Sequence, residues 1–580
     1  MIALAQLNSM PPAQFVDTLR AIFEHSPWVA ERVAAQRPFG SVLDLHAAMT
    51  SAVAAASGDE QLALTRAHPE LAGRARVRTA LTAESAREQS GAGLDSCSPD
   101  EFSRLRELNK AYTDKFGFPF ILAVRGHDRA SIIAALTARV QNAAAAERRE
   151  ALAQVGRIAW FRLAETLSEP VGAHIMAMQE RLAAYSDDES ALTCTYLRPA
   201  HQATAAAIRD FMLAAGLETQ IDAVGNVVGR WRCGKAGAKT LITGSHYDTV
   251  INAGKFDGRL GVALPIACVA HLRRQNAALP FDLEIVAFAD EEGVRFKSTF
   301  LGSSALAGCF DMQVLDQLDA DGISMRAALR DAGHDPAAIP SLARDARTLA
   351  GYVEVHIEQG PVLLDSGRPL GVVTSIAGSV RRLVAITGLA GHSGTVPMTL
   401  RRDAAAAAAE IVLEVEKRCS AMPGLVGTVG RLEVPGGAIN VIPGRCELSI
   451  DIRAGDDAQR DSAVADVLAE IERIAARRRV GIDVRRVLDA AGAPCDATMQ
   501  RQIAAAITRT TGEKTPMHLP SGAGHDAMKM ATITPIGMLF VRCGNGGISH
   551  HPDESLDVGD AAVAARAFTD FLLHFEPVQP

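Results

Sequence analysis

The chain has 580 residues, of which 48% are hydrophobic and 22% charged, so it is long enough for three to four domains and too apolar for wholesale disorder. A net charge of −8 and a pI near 6.1 exclude a nucleic-acid-binding surface over the whole molecule, and no apolar run reaches the ~18 residues of a membrane span. Nine singly scattered cysteines, and an N-terminus without the pattern of a secretory signal, predict a cytoplasmic protein without a disulfide framework.

Residues 1–168 are predicted to form an almost entirely helical domain. Apolar residues recur there at helical spacing, as in Phe15, Leu19 and Phe23, and a long helix over 145–167 closes the domain. We expect no strand before residue 220.

Three motifs of this helical part, HPELAG, SAREQ and KFGFPF, contain polar or aromatic residues. The first motif places His68 directly before Pro69, where helices tend to end. In the second, Ser85, Glu88 and Gln89 follow the i, i+3, i+4 spacing of one helix face. Polar residues on a helix face are normally solvated, so this spacing alone does not indicate catalysis.

In this order, the three motifs resemble the family of 2-oxo-4-hydroxy-4-carboxy-5-ureidoimidazoline (OHCU) decarboxylases, enzymes of urate breakdown. The resemblance implies an all-helical domain without a cofactor, in which His68 is the catalytic acid/base and Glu88 positions it or shares its proton. The residues that would hold the ureidoimidazoline are Pro69, Ser85, Gln89, Phe120 and Ile121. The alternative is a non-catalytic docking module.

From residue 220 onward, short apolar strands such as 240–246 and 283–289 alternate with Ala-rich helices, which is typical of a largely parallel α/β sheet. A later β-α-β-β-α-β order predicts an inserted ferredoxin-like (α+β) lid. Its predicted elements are strand 381–388, helix 402–418, strands 426–433 and 440–453, helix 457–478 and strand 480–487. The predicted domains are therefore the helical domain 1–168, a catalytic domain formed by 172–378 and 489–580, and a lid over 379–488.

Imidazole and carboxylate side chains follow several of the predicted strands, where a parallel sheet binds its ligands. They are His246, Asp248, Asp257 in GKFDG, Glu291 and Glu292 in FADEEG, His356 in VEVHIEQG and His550 in GISHHPDE. Each is a weak signal alone, but the set matches a dinuclear zinc-type site. Asp248 lies two residues after His246, where it can accept the second imidazole N–H.

These motifs, together with GHSGTVPM, NVIPG, DIR and SGAGHDA, resemble the hydantoinase/carbamoylase family of metal-dependent amidohydrolases over residues 175–577. The resemblance implies an α/β dinuclear-metal domain with two divalent ions, zinc or manganese, and it makes Glu291 the general base that takes a proton from the attacking water. The implied ligands are His246, Asp257, Glu292, His356 and His550, with Asp257 bridging the two ions. His551 remains an alternative to His550.

The same resemblance gives roles to residues of the lid. Asn440 and Arg453 would hold the substrate carboxylate, for which the guanidinium fork is suited, and His392 would stabilise the tetrahedral intermediate. In this family the lid usually dimerises and lends its histidine to the partner's site, which implies a homodimer. From the residues alone, each has a structural alternative: Asn440 as a strand cap, Arg453 as a surface charge and His392 as a loop residue. Gln359 resembles a substrate contact, and His525 has no assigned role.

Together the two resemblances predict a bifunctional enzyme of ureide catabolism, with small-molecule substrates and neither nucleic acid nor membrane as partner. Its N-terminal half would convert OHCU to (S)-allantoin, and its C-terminal half would hydrolyse allantoate to ureidoglycine, ammonia and carbon dioxide. A separate allantoinase would have to open the allantoin ring between these steps. An N-carbamoyl-L-amino acid or ureidoglycolate is the alternative substrate of the C-terminal half.

Overall fold

The computed structural model describes residues 1–71 and 98–578. The predicted site residues Ser85, Glu88 and Gln89 lie outside the described residues. The described α-helices are α1 (Leu4–Ser9), α2 (Pro12–Leu19), α3 (Trp28–Val33), α4 (Val42–Ala54), α5 (Gly58–Ala67), α6 (Pro99–Phe116), α7 (Arg129–Arg139), α8 (Ala144–Thr166), α9 (Val171–Ala183), α10 (Pro199–Ala214), α11 (Leu260–Arg274), α12 (Leu301–Leu306), α13 (Met325–Asp331), α14 (Val362–Asp365), α15 (Ala404–Ser420), α16 (Asp457–Arg478), α17 (Ala497–Thr511), α18 (Ala527–Met530) and α19 (Val558–His574).

The described strands form one large sheet, one sheet in the lid and two short pairs. They are β1 (Ile2–Ala3), β2 (Leu167–Ser168), β3 (Glu218–Ile221), β4 (Val227–Trp231), β5 (Thr240–His246), β6 (Asp282–Phe288), β7 (Leu349–Ile357), β8 (Leu370–Ile376), β9 (Gly378–Thr387), β10 (Gly391–His392), β11 (Leu425–Thr428), β12 (Leu432–Glu433), β13 (Val441–Ile442), β14 (Arg445–Ala454), β15 (Gly481–Ala490), β16 (Ala493–Pro494), β17 (Met517–Ser521) and β18 (Ile536–Val541).

The described residues of the N-terminal part are mainly helical, as their periodicity predicts. Helix α5 begins with a capping box between Ser57 and Glu60, and it ends at Ala67 because His68 precedes a proline and adopts extended backbone angles. The expectation of no strand before residue 220 is wrong for β1 and β2, and β3 begins two residues early, at Glu218. Strand β1 pairs in parallel with β2, a two-residue ladder too short to leave an alternating pattern in the sequence.

The large sheet has the order β16-β8-β18-β7-β5-β6-β4-β3, and β17 pairs with β8. Its four central strands, β6, β5, β7 and β18, run parallel to one another. On one side β8 pairs antiparallel with β18, and on the other side β4 pairs antiparallel with β6, and β3 pairs antiparallel with β4. The prediction of a parallel sheet therefore holds for the centre. All nine residues of β7 are buried, as expected for a central strand covered on both faces.

The lid sheet is antiparallel, with the order β11-β14-β9-β15 and with α15 and α16 packed on one face. The chain passes from the large sheet to the lid between Ile376 and Gly378 and returns between Ala490 and Ala493. Two predicted lid strands are each divided in the structure, 426–433 into β11 and β12 and 440–453 into β13 and β14. Pro443, which has no N–H to donate, lies in the second break.

The helical part packs directly against the catalytic domain, and one hydrophobic core runs through both. The Trp160 ring of α8 meets the Phe211 ring of α10 edge-on with centroids 6.1 Å apart. Beside them, Arg157 Nε and Nη2 donate to the Asp210 carboxylate at 2.9 and 2.7 Å. Among the described residues, no helix has both the length and the apolarity to cross a membrane.

Candidate functional site

The polar groups of the predicted site lie at the carboxyl ends of three neighbouring parallel strands of the large sheet. His246 is the last residue of β5, His356 is the penultimate residue of β7, and Glu291 and Glu292 follow the end of β6. Because β5 pairs in parallel with both β6 and β7, these carboxyl ends meet in one crevice.

Asp257 lies at the centre of this crevice. Its Oδ1 faces His356 Nε2 at 3.3 Å and His246 Nε2 at 3.7 Å, and its Oδ2 lies 2.9 Å from His550 Nε2. His550 Nε2 is also 3.3 Å from Glu292 Oε1. Two groups of prospective ligand atoms result, each within 4.8 Å: His246, Asp257 and His356 in one, and Asp257, Glu292 and His550 in the other. Asp257 belongs to both.

The two buried imidazoles are oriented by contacts at their Nδ1 atoms. His246 Nδ1 lies 3.3 Å from Asp248 Oδ1, and His356 Nδ1 lies 2.8 Å from the carbonyl oxygen of Ile357. Both rings therefore direct Nε2 toward Asp257, as ligating histidines do. Gly258, with φ +64°, passes so close that a Cβ there would lie 2.4 Å from the His246 ring, which only glycine tolerates.

The electrostatics of the crevice favour a cation. Burial raises the pKa of Glu291 well above its usual range. Burial opposes ionisation of Asp257 too, but the neighbouring imidazoles of His246 and His550 hold its pKa well below the usual range. Hydrogen bonds to Asp257 and Glu292 raise the pKa of His550 to about 10. The buried Asp257 Oδ1 accepts no hydrogen bond from the described residues, and this oxygen and imidazole donor set fits zinc or manganese.

Asp248 contacts the backbone of Glu291 and Glu292 in addition to the His246 ring. Its Oδ1 accepts the backbone N–H of Glu291 at 3.1 Å, and its Oδ2 accepts that of Glu292 at 3.2 Å. One buried carboxylate thus fixes the start of the loop that bears both glutamates and the ring of a neighbouring histidine.

Other polar residues complete the crevice. Gln359 donates from Nε2 to Asp257 Oδ2 at 2.9 Å, so it lies beside the predicted ligands. His525 meets the His356 ring edge-on at 4.5 Å, and its Nε2 lies 2.7 Å from Ser521 Oγ. His551 Nδ1 faces Asp553 at 3.6 Å, whereas His550 Nε2 faces Asp257 and Glu292, so the geometry favours His550.

Sequence reasoning missed Glu354, a buried carboxylate on β7. It accepts hydrogen bonds from Ser245 Oγ at 2.7 Å and from the Tyr352 hydroxyl at 3.0 Å, and it forms a third group of ligand-type atoms with His356 and His525. Its position two residues before His356 on one strand is a signal that could have found it, because alternate residues share a face.

The three predicted lid residues do not all have the same surroundings. Arg453 donates from Nε and Nη2 to Asp451 at 3.1 and 2.9 Å, and its Nη1 donates to the carbonyl oxygen of Gly522 in the catalytic domain at 2.9 Å. His392 and Asn440 are exposed and adjacent, since β10 pairs with β13 and Ser393 N donates to the Asn440 carbonyl at 3.0 Å. No contact within the described part of this one chain joins them to Asp257.

In the helical part, His68 is buried and its Nε2 has no hydrogen-bond partner among the described residues. Burial lowers the pKa of His68 to about 4, helped by the nearby charge of Arg162 and opposed by that of Glu24. Arg162 donates to Glu24 at 2.8 Å, a buried pair that sequence reasoning missed because the two residues stand in no motif.

The other described residues predicted for this site have structural partners. Phe120 and Ile121 are buried, and Arg139 lies over the Phe120 ring at 4.7 Å while its Nη1 donates to the Ile121 carbonyl at 2.8 Å. Pro69 is half-buried beside His68.

Comparisons with known proteins match the two parts of the chain separately. Residues 8–164 match the family model described as OHCU decarboxylase, and residues 242–574 match that of peptidase family M20/M25/M40. Allantoate deiminase 2 of Glycine max is 40% identical over 417 residues, which cover 67% of this chain and 86% of that protein. An N-carbamoyl-L-amino acid amidohydrolase of Geobacillus stearothermophilus is 41% identical over 359 residues, 62% of this chain and 87% of that protein.

A solved structure shares the architecture of the C-terminal part. The amidase of the hydantoinase/carbamoylase family from Burkholderia multivorans superposes with a TM-score of 0.66 at 29% sequence identity. The match covers 70% of this chain and 98% of that one.

Proposed function

The chain belongs to peptidase family M20/M25/M40 and carries an OHCU decarboxylase domain ahead of that part, and from this premise we propose a bifunctional enzyme of ureide catabolism. Its lyase half decarboxylates OHCU to (S)-allantoin, and its hydrolase half converts allantoate to ureidoglycine, ammonia and carbon dioxide. The observation that carries the proposal is the fusion itself. A urate-pathway decarboxylase joined to an amidohydrolase 40% identical to an allantoate deiminase favours a substrate of the same pathway.

For the hydrolase half, we propose two divalent ions, zinc or manganese, held by the two ligand groups that share Asp257. When bound, such ions lower the pKa of water and polarise the bond to be hydrolysed. Glu291 is the proton carrier, since it is buried beside the ligand Glu292 and its backbone is fixed by Asp248. Gln359 contacts the substrate from beside Asp257.

Arg453 is proposed to bind the substrate carboxylate. Asp451 occupies Nε and one Nη2 N–H, which fixes the plane of the guanidinium while other N–H bonds stay available. Asn440 is proposed to share this role, and His392 to stabilise the tetrahedral intermediate.

We propose a cytoplasmic homodimer that uses the ferredoxin-like lid, so that His392 and Asn440 of one protomer complete the site of its partner. Their exposure, in contrast to the burial of His246, Asp257 and His356, supports this arrangement. Exposed apolar residues in the same loops, Met398, Leu400 and Ile439, offer a surface that a second lid would cover.

For the lyase half, His68 enters the reaction neutral, because burial holds its pKa at about 4. A neutral imidazole whose Nε2 has no partner among the described residues first accepts a proton from the substrate and then returns it to one face of the product, which yields a single enantiomer. Pro69, Phe120 and Ile121 are proposed to hold the ureidoimidazoline, together with Ser85, Glu88 and Gln89 beyond the described residues. The allantoin formed must be opened by a separate cyclic-amide hydrolase before the second half acts.

A substrate panel tests the proposal. Manganese-loaded protein is given allantoate, ureidoglycolate and several N-carbamoyl-L-amino acids, and the ammonia released is measured. Preference for allantoate is expected. Preference for an N-carbamoyl amino acid would refute the pathway argument. The panel includes both substrate types because the allantoate deiminase and the N-carbamoyl-L-amino acid amidohydrolase are 40% and 41% identical to this chain.

A further inference from the structure

Glu554 is a buried carboxylate that joins two loops far apart in sequence. Its Oε1 accepts the backbone N–H of Phe256 at 2.7 Å and that of Asp257 at 3.1 Å. Its Oε2 accepts the Ser549 hydroxyl at 2.7 Å. The loop that carries Asp257 is thus tied to the loop that carries His550.

The fit between these loops is close. A Cβ on Gly254 would lie 2.3 Å from Glu554 Cβ and 2.4 Å from its Oε1, so a side chain there would displace the carboxylate. The backbone N–H of Glu554 also donates to the His551 carbonyl at 3.0 Å, which closes the turn after His550. Ser549 Oγ lies 3.2 Å from Asp257 Oδ2 as well, so it contacts both carboxylates.

We propose that Glu554 is a positioning residue that holds Asp257 in register with His550 and thereby sets the affinity of the centre for its divalent ions. The proposal rests on the metal centre proposed above. Asp257 belongs to both ligand groups, so a shift of its backbone weakens both at once. Glu554 acts through Asp257 and Ser549 and belongs to neither of those groups itself.

Three substitutions separate position from charge. E554Q keeps one carbonyl oxygen for the two backbone N–H groups, and its amide donates to Ser549 Oγ. E554D keeps the charge but is shorter by one methylene, so it cannot reach both loops. E554A leaves two buried N–H groups without acceptors. The control is D560A, which removes a buried carboxylate bound to Arg542 on the same stretch of chain, away from the centre.

The measurement is competition between full-length protein and a chelator for Mn²⁺ and for Zn²⁺, with bound metal counted by mass spectrometry. E554D and E554A should bind 10–100-fold more weakly, as for other groups that orient ligands, whereas E554Q and D560A should stay within about threefold of wild type. E554D covers the case in which E554A does not fold. Excess Mn²⁺ should restore kcat with allantoate in E554D.

Loss of affinity in E554Q equal to that in E554A would overturn the proposal, because charge rather than position would then matter. Wild-type affinity in E554D and E554A would overturn it as well. A wild-type protein that retains neither metal would instead refute the metal centre itself, so the two failures are distinguishable.

Discussion

Because the two halves share one hydrophobic core, we predict that a destabilising substitution on either side of their contact lowers the heat tolerance of both activities. Phe211 of the catalytic domain and Trp160 of the helical part are each 5% exposed and pack edge-on. Replacing a buried phenylalanine with alanine costs about 3–5 kcal/mol, and the aromatic pairing adds about 0.5–1.5 kcal/mol of coupling. If 580 residues unfold together with an entropy of about 2.1 cal/mol/K per residue, F211A lowers Tm by about 3 °C.

The assay heats F211A and W160A over a temperature series and then measures residual decarboxylation and residual ammonia release. F211A should lower the heat tolerance of decarboxylation, and W160A that of ammonia release, each by about 3 °C. F102A, at an exposed phenylalanine of the helical part, should change neither. If each variant impaired only the activity of its own half, or if calorimetry showed two transitions of which one alone moved, the shared core would not couple them.

Three further predictions concern the site and its acid stability. D248N turns one acceptor oxygen into a donor facing a backbone N–H, so chelator competition should show Mn²⁺ held 10–100-fold more weakly; unchanged affinity would contradict the role of Asp248. H550Q should lose bound metal while H551Q keeps it, as counted by mass spectrometry, and the reverse result would move the ligand by one residue. Burial lowers the pKa of His46 and of His201 from 6.5 to about 4 in the folded chain. As the pH falls below 6.5, the unfolded chain therefore protonates these two histidines before the folded chain does. Stability present at pH 7 should therefore drop by about 2 kcal/mol for each of them by pH 5, seen as an earlier urea midpoint that H201Q partly relieves; equal midpoints at pH 7 and pH 5 would refute it.

The large sheet and the polar residues at the carboxyl ends of its strands were predictable from the sequence, because each of these sequence patterns is local. His246 and Glu291 directly follow short apolar runs, and parallel strands bring their carboxyl ends together whatever the rest of the chain does. The same logic gave the lid its element order, although Pro443 breaks a strand that the apolar pattern shows as continuous.

What the sequence did not reveal depends on contacts between distant segments. Glu24 and Arg162 pair across 138 positions and belong to no motif, so nothing local marks them as neighbours of His68. The apolar residues of α8 and α10 have the same periodicity whether they face their own domain or the next one, so the common core around Trp160 and Phe211 was not foreseen.

Two independent catalytic centres in one chain are tested most directly by a pair of variants assayed for both reactions. Manganese-loaded wild type, E291A and H68A are each given allantoate, with ammonia measured, and OHCU, with (S)-allantoin measured by circular dichroism. We predict that E291A loses ammonia release about 10²–10⁴-fold and keeps decarboxylation, while H68A does the opposite. Loss of both activities in both folded variants, or wild-type protein that releases no ammonia from allantoate, would contradict the proposed function.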